Sequence, residues 1–292
     1  MLPAAVTRAV DWWKSSRPGR SLAWYGARNG AQLCGGVAYS ALFSLFAALT
    51  IGWSVFSASL GSNAQWRGAV LDQMDTWVPG LVGTGPGDLV SPDDLILHGG
   101  SAWTTVVAAV VLLLSALGVM GALRTSVRAV FDIPPTQGNA VVARLWQLVG
   151  FVLLGVGVLV SAAASIAAHS VGEVVESLLG GSEAAAWVVR VGGAAVGIVL
   201  DALVVAGIVV LLGGARPGRR DLVLGCLAVG AVAGALRWAG TSLVVGSAGR
   251  NALLAPFAAI VTILVLVNFL ARMLLLVCAW MHDPPRLDAD AG

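Results

Sequence analysis

The sequence predicts an all-α polytopic membrane protein: six transmembrane helices in one bundle, with the N- and C-termini on the cytoplasmic side. Three observations carry this reading. Hydrophobic residues make up 58% of the 292 and charged residues only 11%, with a mean hydropathy of +0.88. A soluble domain carries roughly a quarter charged residues to cover its surface, so lipid must replace water over most of this exterior. The apolar residues gather in long runs, and the Lys and Arg between the runs are unevenly shared between the two sides.

Each run is long enough to span. A hydrocarbon core of about 30 Å needs about 20 residues at 1.5 Å per residue. The segments are 31–60, 103–123, 145–168, 187–213, 222–246 and 252–281, each bounded by Gly, Pro, polar or charged residues. Arg237 and Trp238 interrupt the fifth. Strand-like alternation is absent, which argues against a β-barrel. The transmembrane domain is therefore 30–282, preceded by a cytoplasmic segment 1–29 and followed by a tail 283–292.

Orientation follows from the cations. Arg8, Lys14, Arg17, Arg20 and Arg28 precede the first run. Arg124, Arg128 and Arg144 lie between the second and third, Arg216, Arg219 and Arg220 between the fourth and fifth, and Arg286 after the sixth. The opposite side has Arg67, Arg190 and Arg250, together with Asp72, Asp75, Asp88, Asp93, Asp94, Glu173, Glu176 and Glu183. Positive charge is retained in the cytoplasm, so both termini are placed there. Trp103, Trp146, Trp187 and Trp280 mark run ends, at the headgroup level an indole prefers.

Outside the runs, Val6, Val10 and Trp13 recur at helical spacing. They suggest a short amphipathic helix on the inner leaflet that Pro18-Gly19 breaks, against an unstructured basic tail. The first run lies too deep and is too long for a cleaved signal core, so the chain is expected to be held by its own first helix. In the outer loop 61–102, Trp66, Val70, Met74, Trp77 and Val78 have helical spacing before the Gly83–Gly87 break. That break lacks the Lys-Ser/Thr ending and preceding strand of a phosphate-binding loop.

Several classes of chemistry are disfavoured. A net charge of +2 leaves no nucleic-acid footprint. Cys34, Cys226 and Cys278 are isolated within apolar runs and read as packing residues, with no disulfide framework or metal spacing. His98, His169 and His282 are scattered, and no D-x-D or H-x-x-x-H cluster offers acid–base or metal chemistry. The chain is expected to be no enzyme and to need no cofactor. Without a nucleotide-binding motif, any transport would be passive, gradient-driven or powered by another subunit.

Small residues recur four apart at Gly36/Ser40/Ser44, Gly157/Ser161/Ser165, Gly193/Gly197 and Gly230/Gly234. Such stripes let helix backbones approach closely in lipid. They fit a tight single-chain bundle or a homodimer interface.

The costly residues lie in the later half. Asp201 falls near the middle of the fourth run, Arg237 in the outer half of the fifth, and Asn268 and Arg272 in the inner half of the sixth. A charge at mid-bilayer costs about 2.5–3.5 kcal/mol on insertion scales, so it faces protein or water and finds a partner. The carboxylate is expected within about 10 Å axially of both guanidiniums. Thr241 lies one turn beyond Arg237, and Asn268 one turn before Arg272. Two readings stay open: an Asp–Arg lock joining the three helices, or a polar cavity with surplus positive charge suited to an anion.

The stretch Ala38-Tyr39-Ser40-Ala41-Leu42-Phe43-Ser44-Leu45-Phe46 resembles the signature of the YihY/BrkB family of inner-membrane proteins. Members read like A-Y-x-A-L-F-S-L-F-P there, after a basic, Trp-containing N-terminal region. The Leu117 to Phe131 segment, the basic Arg216-Pro217-Gly218-Arg219-Arg220 loop and the long sixth run extend the likeness. Ala47 stands where the family usually has proline, and Cys278-Ala279-Trp280-Met281-His282 replaces the usual ending. The resemblance implies six spans in a bacterial inner membrane. Labels carried by the family include ribonuclease, serum-resistance factor and transporter, the last with a role in exporting envelope lipids.

These strands of argument give an expectation: a transporter or flippase for an anionic envelope lipid or related solute, using Asp201, Arg237, Thr241, Asn268 and Arg272. Anionic membrane lipids are the expected partners. The alternative is a non-transporting scaffold that organises envelope enzymes.

Overall fold

The computed structural model describes residues 12–59, 102–134, 142, 144–153, 155–157, 183–247 and 255–283. All regular structure among them is helical. The helices are α1 (Arg17–Ala27), α2 (Gly30–Ser59), α3 (Ala102–Ala116), α4 (Gly118–Val130), α5 (Arg144–Gly157), α6 (Glu183–Gly207), α7 (Arg219–Ser247) and α8 (Ala255–His282). A π-helical turn, Ile208–Leu212, continues α6.

Among the described residues, four stretches have the length and hydropathy to cross a membrane: Gly30–Ile51, Ala109–Val130, Val191–Leu212 and Ile260–His282. The chain is thus an all-helical membrane protein. The helix α7 is 29 residues long, about 43 Å at 1.5 Å per residue, and Arg237 lies within it without ending it. For the third run, 145–168, only the first part is described, as α5. The outer loop 61–101, Val6, Val10 and the tail beyond Asp283 lie outside the described residues.

Two boundaries differ from the sequence reading. The second run, expected to end at 123, stays helical to Val130 because Met120, Leu123, Val127 and Val130 bury one continuous face. Residues 12–15 are helical and end at a bend at Ser16, so the chain breaks there as expected, but a second helix begins at once across Pro18-Gly19. The Ser16 side chain accepts a hydrogen bond from Gly19 N at 3.3 Å, and Pro18 occupies the first turn, where its missing N–H costs nothing.

By contact density the chain forms two units. The first comprises Met1–Cys34, Leu123–Arg237 and Leu270–Gly292. Its long helices approach closely through glycine. A Cβ on Gly230 of α7 would lie 2.7 Å from Ile198 O of α6, and one on Gly213 would lie 2.7 Å from Val209 O and 3.3 Å from Val127 Cβ. A Cβ on Gly157 would meet Val204. Gly193 and Gly197 meet nothing within 4 Å, so only part of the small-residue pattern packs against described residues.

The second unit comprises Gly35–Ala122 and Trp238–Phe269. Its chief polar feature is a hydroxyl inserted into a helix. Ser44 Oγ donates to Ser115 O at 2.7 Å and accepts from Val119 N at 3.1 Å. Those two backbone groups are four residues apart and would otherwise bond each other, so Ser44 splits the ladder at Leu117 and separates α3 from α4. Gly36, on the expected stripe, meets nothing within 4 Å.

Candidate functional site

The five sequence-predicted residues do not form one described cluster. Asp201 is half-buried on α6, between Ile198 and Ala202, the two residues against which Gly230 packs. Arg237 lies seven residues beyond Gly230 along α7, about 10 Å at 1.5 Å per residue. The side chains of Arg237 and Thr241 lie outside the described residues. Asn268 is half-buried and Arg272 exposed, one turn apart on α8. Asp201, Arg237 and Arg272 belong to the first unit, and Thr241 and Asn268 to the second.

Arg272 forms no ion pair among the described residues. It sits within electrostatic range of the Tyr25 hydroxyl and the Cys34 thiol, which lie 3.4 Å apart. An exposed guanidinium in a spanning helix is a poor fit to hydrocarbon unless water or an anion reaches it.

Four ion pairs gather at one end of the first unit, around α1. The face of α1 that carries Arg17, Ser21, Trp24, Tyr25 and Arg28 follows helical spacing. Arg17 Nη2 stands 2.7 Å from Asp221 Oδ2 in the first turn of α7, and Arg17 Nε stands 3.5 Å from Asp283 Oδ1. Arg20 Nη2 reaches Asp283 Oδ1 at 2.8 Å, and Arg28 Nη2 reaches Asp132 Oδ1 at 2.7 Å. Asp221 holds the Arg17 guanidinium above its ordinary range by hydrogen bonding and by charge, against the opposing effect of burial.

Asp132 and Asp283 share a second property: both are left-handed, at φ 54° and 47°, just past the ends of α4 and α8. Asp132 N bonds Ala129 O and Ile133 N bonds Arg128 O, which closes α4 in a Schellman turn. Asp283 N bonds Trp280 O in the same manner. A carboxylate there opposes the negative end of the helix dipole, and the α1 arginines offset that cost.

Aromatic contacts complete the arrangement. Trp24 Nε1 donates to Val130 O at 2.8 Å, and Arg17 Nη2 to Trp280 O at 3.2 Å. Both carbonyls belong to the last turns of their helices, where the regular intrahelical donors run out. Arg17 lies over the Trp280 ring at 4.2 Å, and Arg28 over Trp24 at 4.4 Å. His282 stacks on Trp24 with centroids 5.2 Å apart and meets Phe131 edge-on. Thus α1 bridges the start of α7 and the ends of α4 and α8.

Sequence reasoning counted the basic residues of this cluster only as topology signals and missed Asp132, Asp221, Asp283, Trp24 and Tyr25. A signal was available for two of them: Asp221 and Asp283 sit directly at run ends.

Among the described residues no group of three or more His, Cys, Asp or Glu is placed to hold a metal ion. The fold defines a helical membrane protein, with four ion pairs among its described residues gathered at one end of the first unit. Residues 22–282 match the family model described as virulence factor BrkB, and the chain belongs to that family. No curated protein and no solved structure matches it.

Proposed function

We propose that this protein is a transporter or flippase for an anionic cell-envelope lipid or a related anionic solute. On this reading it crosses a bacterial inner membrane six times, keeps both termini in the cytoplasm and performs no catalysis. The observation that carries the proposal is the contrast between Arg272 and the α1 arginines. Arg17, Arg20 and Arg28 each have a carboxylate partner within 4 Å. Arg272 has none among the described residues and is exposed on a spanning helix. A phosphate or carboxylate headgroup is the natural partner for such a guanidinium, which binds planar oxyanions in a fork.

The π-helical turn at Ile208–Leu212, seven residues past Asp201, adds support, because such turns concentrate at functional positions. Asp201 and Arg237, of the same unit as Arg272, would complete the set that handles the anion. Native mass spectrometry of purified protein with phosphatidylglycerol and phosphatidylcholine tests the site. The proposal expects selective retention of the anionic lipid, reduced about tenfold in Arg272→Gln and largely kept in Arg272→Lys. Equal retention of both lipids by the unaltered protein and by Arg272→Gln would remove Arg272 as the anion site.

A further inference from the structure

The helix α1 is held to the first unit by a kind of contact different from that within it. Its buried residues are Gly19, Ser21 and Tyr25, while its largest aliphatic side chain, Leu22, is half exposed. Its apolar anchorage is confined to two aromatic rings, the buried Tyr25 and Trp24, which stacks on His282. The rest of what holds it is charge: the four ion pairs to Asp132, Asp221 and Asp283, all partly open to solvent. Arg17 Nε and Arg20 Nε are buried without a hydrogen-bond acceptor, so the network is incompletely satisfied.

The junction with α2 suits a hinge. Asn29 takes the left-handed conformation at φ 53° between the two helices, with Asn29 N bonded to Gly26 O. Gly30 follows, and a Cβ there would collide with the Tyr25 ring. Tyr25 closes over Gly30 and places its hydroxyl 3.4 Å from Cys34 Sγ, leaving Cys34 fully buried.

We infer that α1 is a detachable strap, hinged at Asn29-Gly30, which when seated closes the end of this unit over Cys34 and when released opens that end toward Arg272. The strap itself stands on its own contacts. Its role as a gate for anions rests on the reading of Arg272 given above.

Cys34 is a built-in reporter. In a Cys226→Ala/Cys278→Ala background reconstituted into phosphatidylcholine vesicles, the rate of N-ethylmaleimide labelling reads strap release. Raising salt from 0.1 M to 1 M shortens the screening length from about 10 Å to about 3 Å. The strap predicts faster labelling by roughly tenfold in high salt, and comparable acceleration at low salt in Arg17→Gln/Arg20→Gln/Arg28→Gln. Exchanging the pair in Arg17→Asp/Asp221→Arg should recover slow labelling relative to Arg17→Asp alone. Labelling that is equally slow at both salt concentrations in the unaltered strap would overturn the inference, whether or not the triple variant folds. Lipid movement is scored separately. Salt-dependent labelling in a protein that moves no lipid would leave the strap standing and retire the transport reading. Lipid movement lost in Arg272→Gln but indifferent to strap release would retire the gate alone.

Discussion

Arg17 and Asp221, 204 residues apart in the chain, meet at 2.7 Å and join the N-terminal helix to the first turn of α7. The carboxylate is doubly placed: it takes two hydrogen bonds from the guanidinium and lies at the positive end of a helix dipole. Both side chains are about 30% exposed, so the pair is worth about 0.2–1 kcal/mol. Its value is positional.

Asp283 receives two arginines and Asp221 one. Asp283→Asn should therefore lower stability more than Asp221→Asn, by about 1 kcal/mol against about 0.5 kcal/mol. Asparagine keeps the left-handed backbone affordable at 283, so the difference reports charge. Thermal unfolding in detergent at low salt measures it, and 1 M salt should shrink both losses.

Ser44 tests a different kind of contact. Ser44→Ala leaves Ser115 O and Val119 N without their bridging hydroxyl, at a cost of about 1–3 kcal/mol for buried groups. Unfolding by denaturant should show that loss. A neutral result would mean that the helix closes its own ladder across Leu117.

Glycine substitutions separate packed from open faces. Gly230→Ala pushes a methyl against Ile198 O and should destabilise by about 1–3 kcal/mol. Gly36→Ala and Gly193→Ala have room among the described residues and gain helix propensity, so they should be neutral or stabilising by up to about 1 kcal/mol. Loss of a dimer on Gly193→Leu, seen by cross-linking in vesicles, would identify that open face as an interface between copies.

The α1 contacts should resist alkali. Burial and the Cys34 contact hold the Tyr25 hydroxyl above its ordinary value of 10.0, and Asp221 holds the Arg17 guanidinium above its ordinary range. With both folded-state values raised, their contribution is fully present below the ordinary values and is lost only as pH rises past the raised ones. Tyrosinate absorbance of Tyr39→Phe should show Tyr25 titrating above the ordinary tyrosine range, and α1 should stay seated from about pH 7 to about pH 10.

The long helices were legible because lipid imposes a length and a composition on any spanning segment. The family was legible from Ala38–Phe46, whose Ser44 proves to be a structural hydroxyl inside another helix. Less visible was α1, since Pro18-Gly19 reads as a stop until Ser16 is seen capping it. The carboxylates of Asp132, Asp221 and Asp283 were hidden for another reason. Orientation rules weigh only cations, and ion pairing between residues more than 100 apart leaves no periodicity. Asp201 and Arg272 stood out by cost alone, which marks a residue as important without naming its partner.

The central claim is that an exposed cation on α8 serves a moving anion. Fluorescent phosphatidylglycerol in reconstituted vesicles, with dithionite quenching to report transfer between leaflets, tests it most directly. The account predicts transfer by the unaltered protein, at least tenfold slower in Arg272→Gln and in Arg237→Gln. Unchanged transfer in both variants, in protein that still folds, would contradict it.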